Sequence, residues 1–133
     1  DFIFADWGKD LVMGGLGNDW IEGGSGNDFL RGEQGSDSLV ADSGFDTLEG
    51  GEGEDLFIIE NGSSGAMILD WQSGIDLIDF SRVDTVETVV DLELEQHSQE
   101  LASIAFENEN GKEIKIEVIG QIEFNLTAAD FIF

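Results

Sequence analysis

The sequence predicts an all-β chain, a narrow solenoid followed by a β-rich cap, and two observations carry that prediction. The first is a gapless run of six nine-residue words from Ala5 to Ile58, each with glycine fourth, aspartate sixth and an apolar residue eighth. The second is the end of that rhythm after Ile59, where alternating apolar segments separated by turn residues take over. Asp1-Phe2-Ile3-Phe4 fits the end of one more word, so the chain is expected to be a piece of something longer.

Each word divides into a six-residue polar loop and a three-residue strand. Glycine at the fourth position (Gly8, Gly17, Gly26, Gly35, Gly44, Gly53) lets the loop take positive φ. In the strand the seventh and ninth side chains face one way and the eighth the other. The eighth residues are Val12, Ile21, Leu30, Leu39, Leu48 and Phe57, so they point inward as a ladder. One word cannot bury such a residue alone, whereas stacked words can. Two words, or eighteen residues, make one turn with a loop at each edge.

The sixth-position aspartates then form two columns. Asp10, Asp28 and Asp46 line one edge; Asp1, Asp19, Asp37 and Asp55 line the other. Carboxylates stacked at the ~4.8 Å spacing of strands repel unless neutralised. A hard divalent cation with oxygen ligands is the natural neutraliser. Calcium accepts six to eight oxygens in adaptable geometry, backbone carbonyls included, while magnesium demands a tighter octahedron. Cysteine is absent and His97 is the only histidine, which leaves soft-ligand zinc or copper sites nothing to use.

These words resemble the RTX (hemolysin-type calcium-binding) nonapeptide repeats, whose signature is G-G-x-G-x-D-x-U-x. The nearest matches are Gly14-Gly15-Leu16-Gly17-Asn18-Asp19-Trp20-Ile21-Glu22 and Gly23-Gly24-Ser25-Gly26-Asn27-Asp28-Phe29-Leu30-Arg31. The resemblance implies a calcium-stabilised parallel β-roll with each ion between loops two words apart. It implies that the earlier loop gives its second and fourth carbonyls and its aspartate, and the later loop its first and third carbonyls and its aspartate. On this chain one site would use Asp6, Gly8 and Asp10 with Gly23, Ser25 and Asp28. The next on that edge would use Gly24, Gly26 and Asp28 with Ala41, Ser43 and Asp46. Across the roll, Gly15, Gly17 and Asp19 would face Gly32, Gln34 and Asp37. The fourth would join Glu33, Gly35 and Asp37 to Gly50, Glu52 and Asp55. A fifth, between Asp1 and Asp19, lacks its upper carbonyls. Ala5 and Ala41 replace the first glycine, and Asp6, Glu33 and Asp42 the second, which makes those loops costlier and their sites weaker.

Composition sets further bounds. A chain of 133 residues with 41% hydrophobic residues is one domain, or a repeat half (1–58) and a cap (59–133) sharing one core. The formal charge of −25 opposes compaction without counter-ions. Four calcium ions of charge +2 would reduce it to about −17, so nucleic acid and anionic membrane are poor partners. No apolar stretch approaches the ~18 residues of a membrane helix. Lack of cysteine is compatible with an extracellular protein held by metal rather than disulfides.

In the cap, Asp70-Trp71-Gln72-Ser73-Gly74-Ile75-Asp76-Leu77-Ile78-Asp79-Phe80-Ser81 resembles the segment after the repeats in serralysin-type secreted proteases, where strand, turn and strand continue the roll. Asp70, Asp76 and Asp79 are candidates for another calcium or for turn formation. Val86 to Glu95 alternates at Val90, Leu92 and Leu94 like a half-buried strand, and is also compatible with a short helix. His97 reads as a solvated loop residue. Ala102 to Asn108 and Lys112 to Ile119 read as a hairpin. A three-residue loop, Glu109-Asn110-Gly111, puts Ile104, Phe106, Ile114, Ile116 and Val118 on one face, whereas a two-residue turn would split them. The strand row Phe2, Phe4, Trp20, Val40, Leu56 and Ile58 is too apolar to face water. The cap hairpins are therefore expected over that sheet, or, for Phe2 and Phe4, an upstream domain. The opposite row is Leu11, Met13, Phe29, Arg31, Thr47 and Glu49.

Leu126-Thr127-Ala128-Ala129-Asp130-Phe131-Ile132-Phe133 resembles the tail of serralysin-type and related RTX proteins, which implies export by a type I secretion machine. Thr127 with Asp130 would also suit a capping box, and a plain last strand is the alternative. The reading is a calcium-dependent folding and secretion module at the C-terminal end of a bacterial extracellular or cell-surface protein. The alternative is an accessory carbohydrate-binding or adhesive module. No metalloprotease helix motif, nucleophile elbow or phosphate-binding loop appears, so catalysis is expected, if anywhere, in an upstream domain.

Overall fold

The computed structural model describes residues 1–86, 93–108, 110–121 and 128–133. The repeats coil between two sheets. One holds β1 (Phe2–Phe4), β3 (Trp20–Glu22), β5 (Ser38–Ala41), β7 (Leu56–Glu60) and β9 (Leu77–Arg82), with β13 (Phe131–Ile132) beyond β9. The other runs β2 (Leu11–Leu16), β4 (Phe29–Gln34), β6 (Gly44–Glu52), β8 (Ser63–Gln72), β12 (Glu113–Gln121), β11 (Leu101–Glu107) and β10 (Glu93–Gln96). Every pairing inside the coil is parallel, so the repeats form a parallel β-roll.

The eighth residues set the register. Ile3, Ile21, Leu39, Phe57 and Ile78 stand opposite one another along the first sheet. Val12, Leu30, Leu48 and Ile68 do so along the second. From Ile21 onward every rung is fully buried, and each contributes roughly 1.5–3 kcal/mol of apolar burial. The two sheets are not equivalent, however. First-sheet repeat strands begin at three residues, as the word predicts, whereas β2 and β4 run for six. Those extra residues keep parallel partners, Gly15 with Glu33 and Glu33 with Gly51, so the loop on that edge is shorter than six.

Beyond Ile59 the coil continues for another turn. β8 adds to β6 and β9 to β7, with register shifts at Gly44/Phe45 and Ile58/Glu60 that absorb inserted residues. The hairpin has the three-residue-loop register: Phe106 faces Ile114, Ile104 faces Ile116, and Asn108 N–H donates to the Lys112 carbonyl at 2.9 Å. Ile104, Phe106, Ile114, Ile116 and Val118 are all buried, and Gly111 takes φ 71°. Glu109 lies outside the described residues.

The placement of that hairpin corrects the expectation. It does not lie over the first sheet; β12 pairs in parallel with β8 and prolongs the second sheet. Its apolar face then meets the interior, where Phe106 packs edge-on to Phe80 at 5.5 Å and Phe131 lies 5.9 Å from Phe80. One buried cluster runs from Val12 to Phe131. On the outer face of the first sheet Val40 and Ile58 are nonetheless buried, and the Arg82 guanidinium sits 5.3 Å from the Trp20 ring. Phe2 and Phe4 are 79% and 59% exposed.

Val90 and Leu92 fall outside the described residues, as do Leu126 and Thr127 of the tail. Ala128–Asp130 forms a single 3-10 turn before β13. His97 is exposed, though its Nε2 lies 3.0 Å from the hydroxyl of buried Ser103. Among the described residues no helix is long and apolar enough to cross a membrane.

Candidate metal centre

Stacking the words one turn apart places each aspartate against the next in its column. Asp10 N–H donates to Asp28 Oδ1 at 2.8 Å, and Asp28 N–H to Asp46 Oδ1 at 3.0 Å. On the other edge Asp19 N–H donates to Asp37 Oδ1 at 2.7 Å, and Asp37 N–H to Asp55 Oδ1 at 3.0 Å. The N-terminal ammonium of Asp1 makes the corresponding bond to Asp19 Oδ1. These bonds use one carboxylate oxygen each. Oδ2 is buried without a hydrogen-bond partner in Asp10, Asp19, Asp28, Asp37 and Asp46.

An orphaned carboxylate oxygen in a low-dielectric site is costly. Burial accordingly pushes Asp46 and Asp55 up to about 6, with neighbouring carboxylates adding to it, and raises Asp37 as well. The ladder carries unmet negative charge, as a cation site requires.

Two glycine positions show how the loops make room. A Cβ on Gly23 would lie 2.6 Å from Asp28 Oδ2, so the first residue of the word is small because its own aspartate folds back over it. A Cβ on Gly26 would collide with the Gly8 carbonyl of the turn before, and φ there is 147°. At the second position Asp6 and Glu33 do adopt left-handed φ, 71° and 79°, the strained conformation their replacement of glycine implies.

The structure brings the four predicted loop pairs into contact. Gly8 N–H donates to the Ser25 carbonyl at 2.8 Å and Ser25 N–H to the Asp6 carbonyl at 2.7 Å. Gly26 N–H donates to Ser43 at 2.7 Å, with Ser43 N–H to Gly24 at 3.3 Å. On the opposite edge Gly17 N–H meets the Gln34 carbonyl at 2.8 Å and Gly35 N–H the Glu52 carbonyl at 2.9 Å. Each of those accepting carbonyls keeps a second lone pair. Gly15, Gly32 and Gly51 lie in β2, β4 and β6, and a Cβ on Gly32 would collide with Asp37 Oδ2 and the Gly50 carbonyl.

The donor set suits calcium. Each loop pair offers two aspartates and several main-chain oxygens, all hard donors, around orphaned carboxylate oxygens. Among the described residues no three His, Cys, Asp or Glu side chains converge as a metal cluster, so the remaining ligands must come from the backbone. A bound ion supplies charge neutralisation between the stacked loops.

Asp70, Asp76 and Asp79 do not form a common site. Asp70 accepts Gly50 N–H at 2.9 Å and Gly51 N–H at 2.7 Å. Asp76 accepts Asp55 N–H and Gln72 N–H, and Asp79 caps its own Ser81 N–H. Asp76 thus extends an aspartate column that the nine-residue register stops at Asp55. Gly74-Ile75-Asp76-Leu77-Ile78 carries the glycine, aspartate and apolar spacing of a word, out of phase because Asp76 follows Asp55 by 21 residues rather than 18. A ladder at the fifth position was also missed: Asn18 Oδ1 accepts Ser36 N–H and Asn27 Oδ1 accepts Phe45 N–H, at 3.0 and 3.1 Å.

The RTX calcium-binding nonapeptide repeat (4 copies) matches residues 4–39 and 31–64. Among solved structures, the chain is similar to the AlgE6R3 subunit of the mannuronan C5-epimerase from Azotobacter vinelandii, with 26% identity and a TM-score of 0.74 over 100% of this chain and 79% of that one. It is similar in fold to the AlgE6R2 subunit of that epimerase, with 20% identity and a TM-score of 0.64 over 95% and 92% of the two chains. No curated protein matches.

Proposed function

The repeat region, residues 4–64, belongs to the RTX calcium-binding nonapeptide-repeat family, and from that premise we propose that this chain is a module whose folding depends on calcium, at the C-terminal end of a larger extracellular protein. The observation that carries the reading is the buried, unpartnered Oδ2 of Asp10, Asp19, Asp28, Asp37 and Asp46. Four ions would sit between Asp10 and Asp28, Asp28 and Asp46, Asp19 and Asp37, and Asp37 and Asp55. Carbonyls of Asp6, Gly8, Gly23 and Ser25, of Gly24, Gly26, Ala41 and Ser43, of Gly15, Gly17, Gly32 and Gln34, and of Glu33, Gly35, Gly50 and Glu52 would complete them. Extracellular modules bind calcium at ~0.1–1 mM, so the chain stays unfolded in a low-calcium cytoplasm. It passes a type I machine in that state and folds outside, with residues 1–58 as the metal-holding roll and 59–133 as its cap. Any catalysis resides upstream.

Far-ultraviolet dichroism during a calcium titration tests the reading. Sheet signal should rise with calcium, and about four ions should bind at saturation. A native sheet signal in excess chelator, unchanged by added calcium, overturns it.

A second reading is favoured by the 26% identity, over the whole chain, to a subunit of a mannuronan C5-epimerase: an accessory carbohydrate-binding module. A charge of −25 opposes a polyuronate unless calcium bridges the two. Calcium-dependent retention of the folded chain on mannuronan, lost in chelator, separates the two readings.

A further inference from the structure

The fifth word departs from the others at its second residue. Asp6, Gly15, Gly24, Glu33 and Gly51 all have φ between 71° and 107°, whereas Asp42 does not take the left-handed conformation. Its side chain is 9% exposed, and its two oxygens go to two different loops. Oδ2 accepts Gly24 N–H of the third word at 2.9 Å, and Oδ1 accepts Ser43 N–H of its own word at 2.8 Å. Gly24 and Ser43 are the residues whose carbonyls are proposed for the ion between Asp28 and Asp46. Asp28 Oδ2 and Asp46 Oδ2 are both buried and unpartnered. At the matching position on the opposite edge, Glu33 makes no such bond.

We propose that Asp42 is a positioning residue that ties together the two loops of the Asp28–Asp46 calcium site, so that this site holds its ion longest. The proposal rests on calcium binding as read above. Releasing the ion requires the third and fifth words to part at Gly24 and Ser43; Asp42 opposes that movement with the charge-assisted bond from Gly24 N–H to Oδ2, while the bond from Ser43 N–H to Oδ1 holds the carboxylate in place within the fifth word.

The test is calcium release from the saturated chain into excess fluorescent chelator, with hydrogen exchange at the Gly24 amide as a second readout. Asp42→Ala should speed the slowest release phase about tenfold and Gly24 exchange by a similar factor, while Glu107→Ala, at an exposed hairpin residue, leaves both within about twofold. Asp42→Asn, which keeps one carbonyl acceptor, should fall between, and it decides the matter if Asp42→Ala does not fold in calcium. An unchanged slowest phase in Asp42→Asn and Asp42→Ala overturns the proposal. So does slower release, which would mean that Asp42 competes with the ion for the loops. If the unsubstituted chain binds no calcium, the functional reading fails instead, and fails separately.

Discussion

Asp55 N–H donates to Asp76 Oδ1 at 3.1 Å, the same bond that Asp37 N–H makes to Asp55 at 3.0 Å, one turn further along the coil. Asp76 differs in its second oxygen, which accepts Gln72 N–H at 2.7 Å. The last rung of the column is therefore closed by its own turn.

Asp76→Ala should destabilise the calcium-saturated chain by about 1–3 kcal/mol, because the buried Asp55 N–H and the half-buried Gln72 N–H lose their acceptor. Calcium stoichiometry should stay the same. Urea unfolding in saturating calcium and equilibrium dialysis measure the two quantities, and a loss of one bound ion would make Asp76 a ligand.

The interior aspartates should be unequal. Asp28 and Asp37 each stand between two proposed sites, whereas Asp10, Asp46 and Asp55 each border one. Asp28→Ala or Asp37→Ala should lower stoichiometry and cooperativity more than Asp10→Ala does. Equal losses in calorimetric titrations of all three would contradict the shared-column arrangement.

Acid should partly replace calcium. Burial raises Asp46 and Asp55 from 3.8 to about 6. Between those values the folded chain binds more protons than the unfolded one, so stability falls as pH rises, by at most about 1.4 kcal/mol per pH unit for each carboxyl. The contribution is fully present below 3.8 and lost as pH climbs through 6. Calcium-free sheet signal should thus be larger at pH 4.5 than at pH 7, while calcium affinity falls over the same acidification. Calcium-free signal that grows from pH 4.5 to pH 7 would contradict this sign.

The tail should contribute to the core through one phenylalanine more than the other. Phe131 is 6% exposed and packs on Phe80, whereas Phe133 is 37% exposed. Phe131→Ala should cost ~3–5 kcal/mol and Phe133→Ala clearly less, both by thermal or urea unfolding in calcium. If residues 130–133 are also an export signal, their deletion from the intact protein should abolish secretion through its cognate type I machine. Normal secretion of that truncated protein would exclude the export role.

Much of this architecture was legible in the repeat. Glycine fourth, aspartate sixth and an apolar eighth residue, six times without a gap, dictate a coil with an inner ladder and two acid columns. Each of those choices is local: a left-handed loop residue, a side-chain alternation, a fixed spacing of like charges. The hairpin register was equally legible, since only the three-residue loop ending at Gly111 puts Ile104, Phe106, Ile114, Ile116 and Val118 on one face.

Tertiary structure decided what depends on partners distant in sequence. The hairpin has one apolar face, and sequence could not say which sheet would receive it. Pairing of β12 with β8 and packing of Phe106 on buried Phe80 place it in the second sheet rather than over the first. Asp76 joined its column because the coil absorbs three extra residues before it, part of them at the β6–β8 register shift, which a nine-residue template does not allow. Asp42 read only as a replaced glycine, because its value lies in Gly24 N–H, eighteen residues away and adjacent only once the coil has closed.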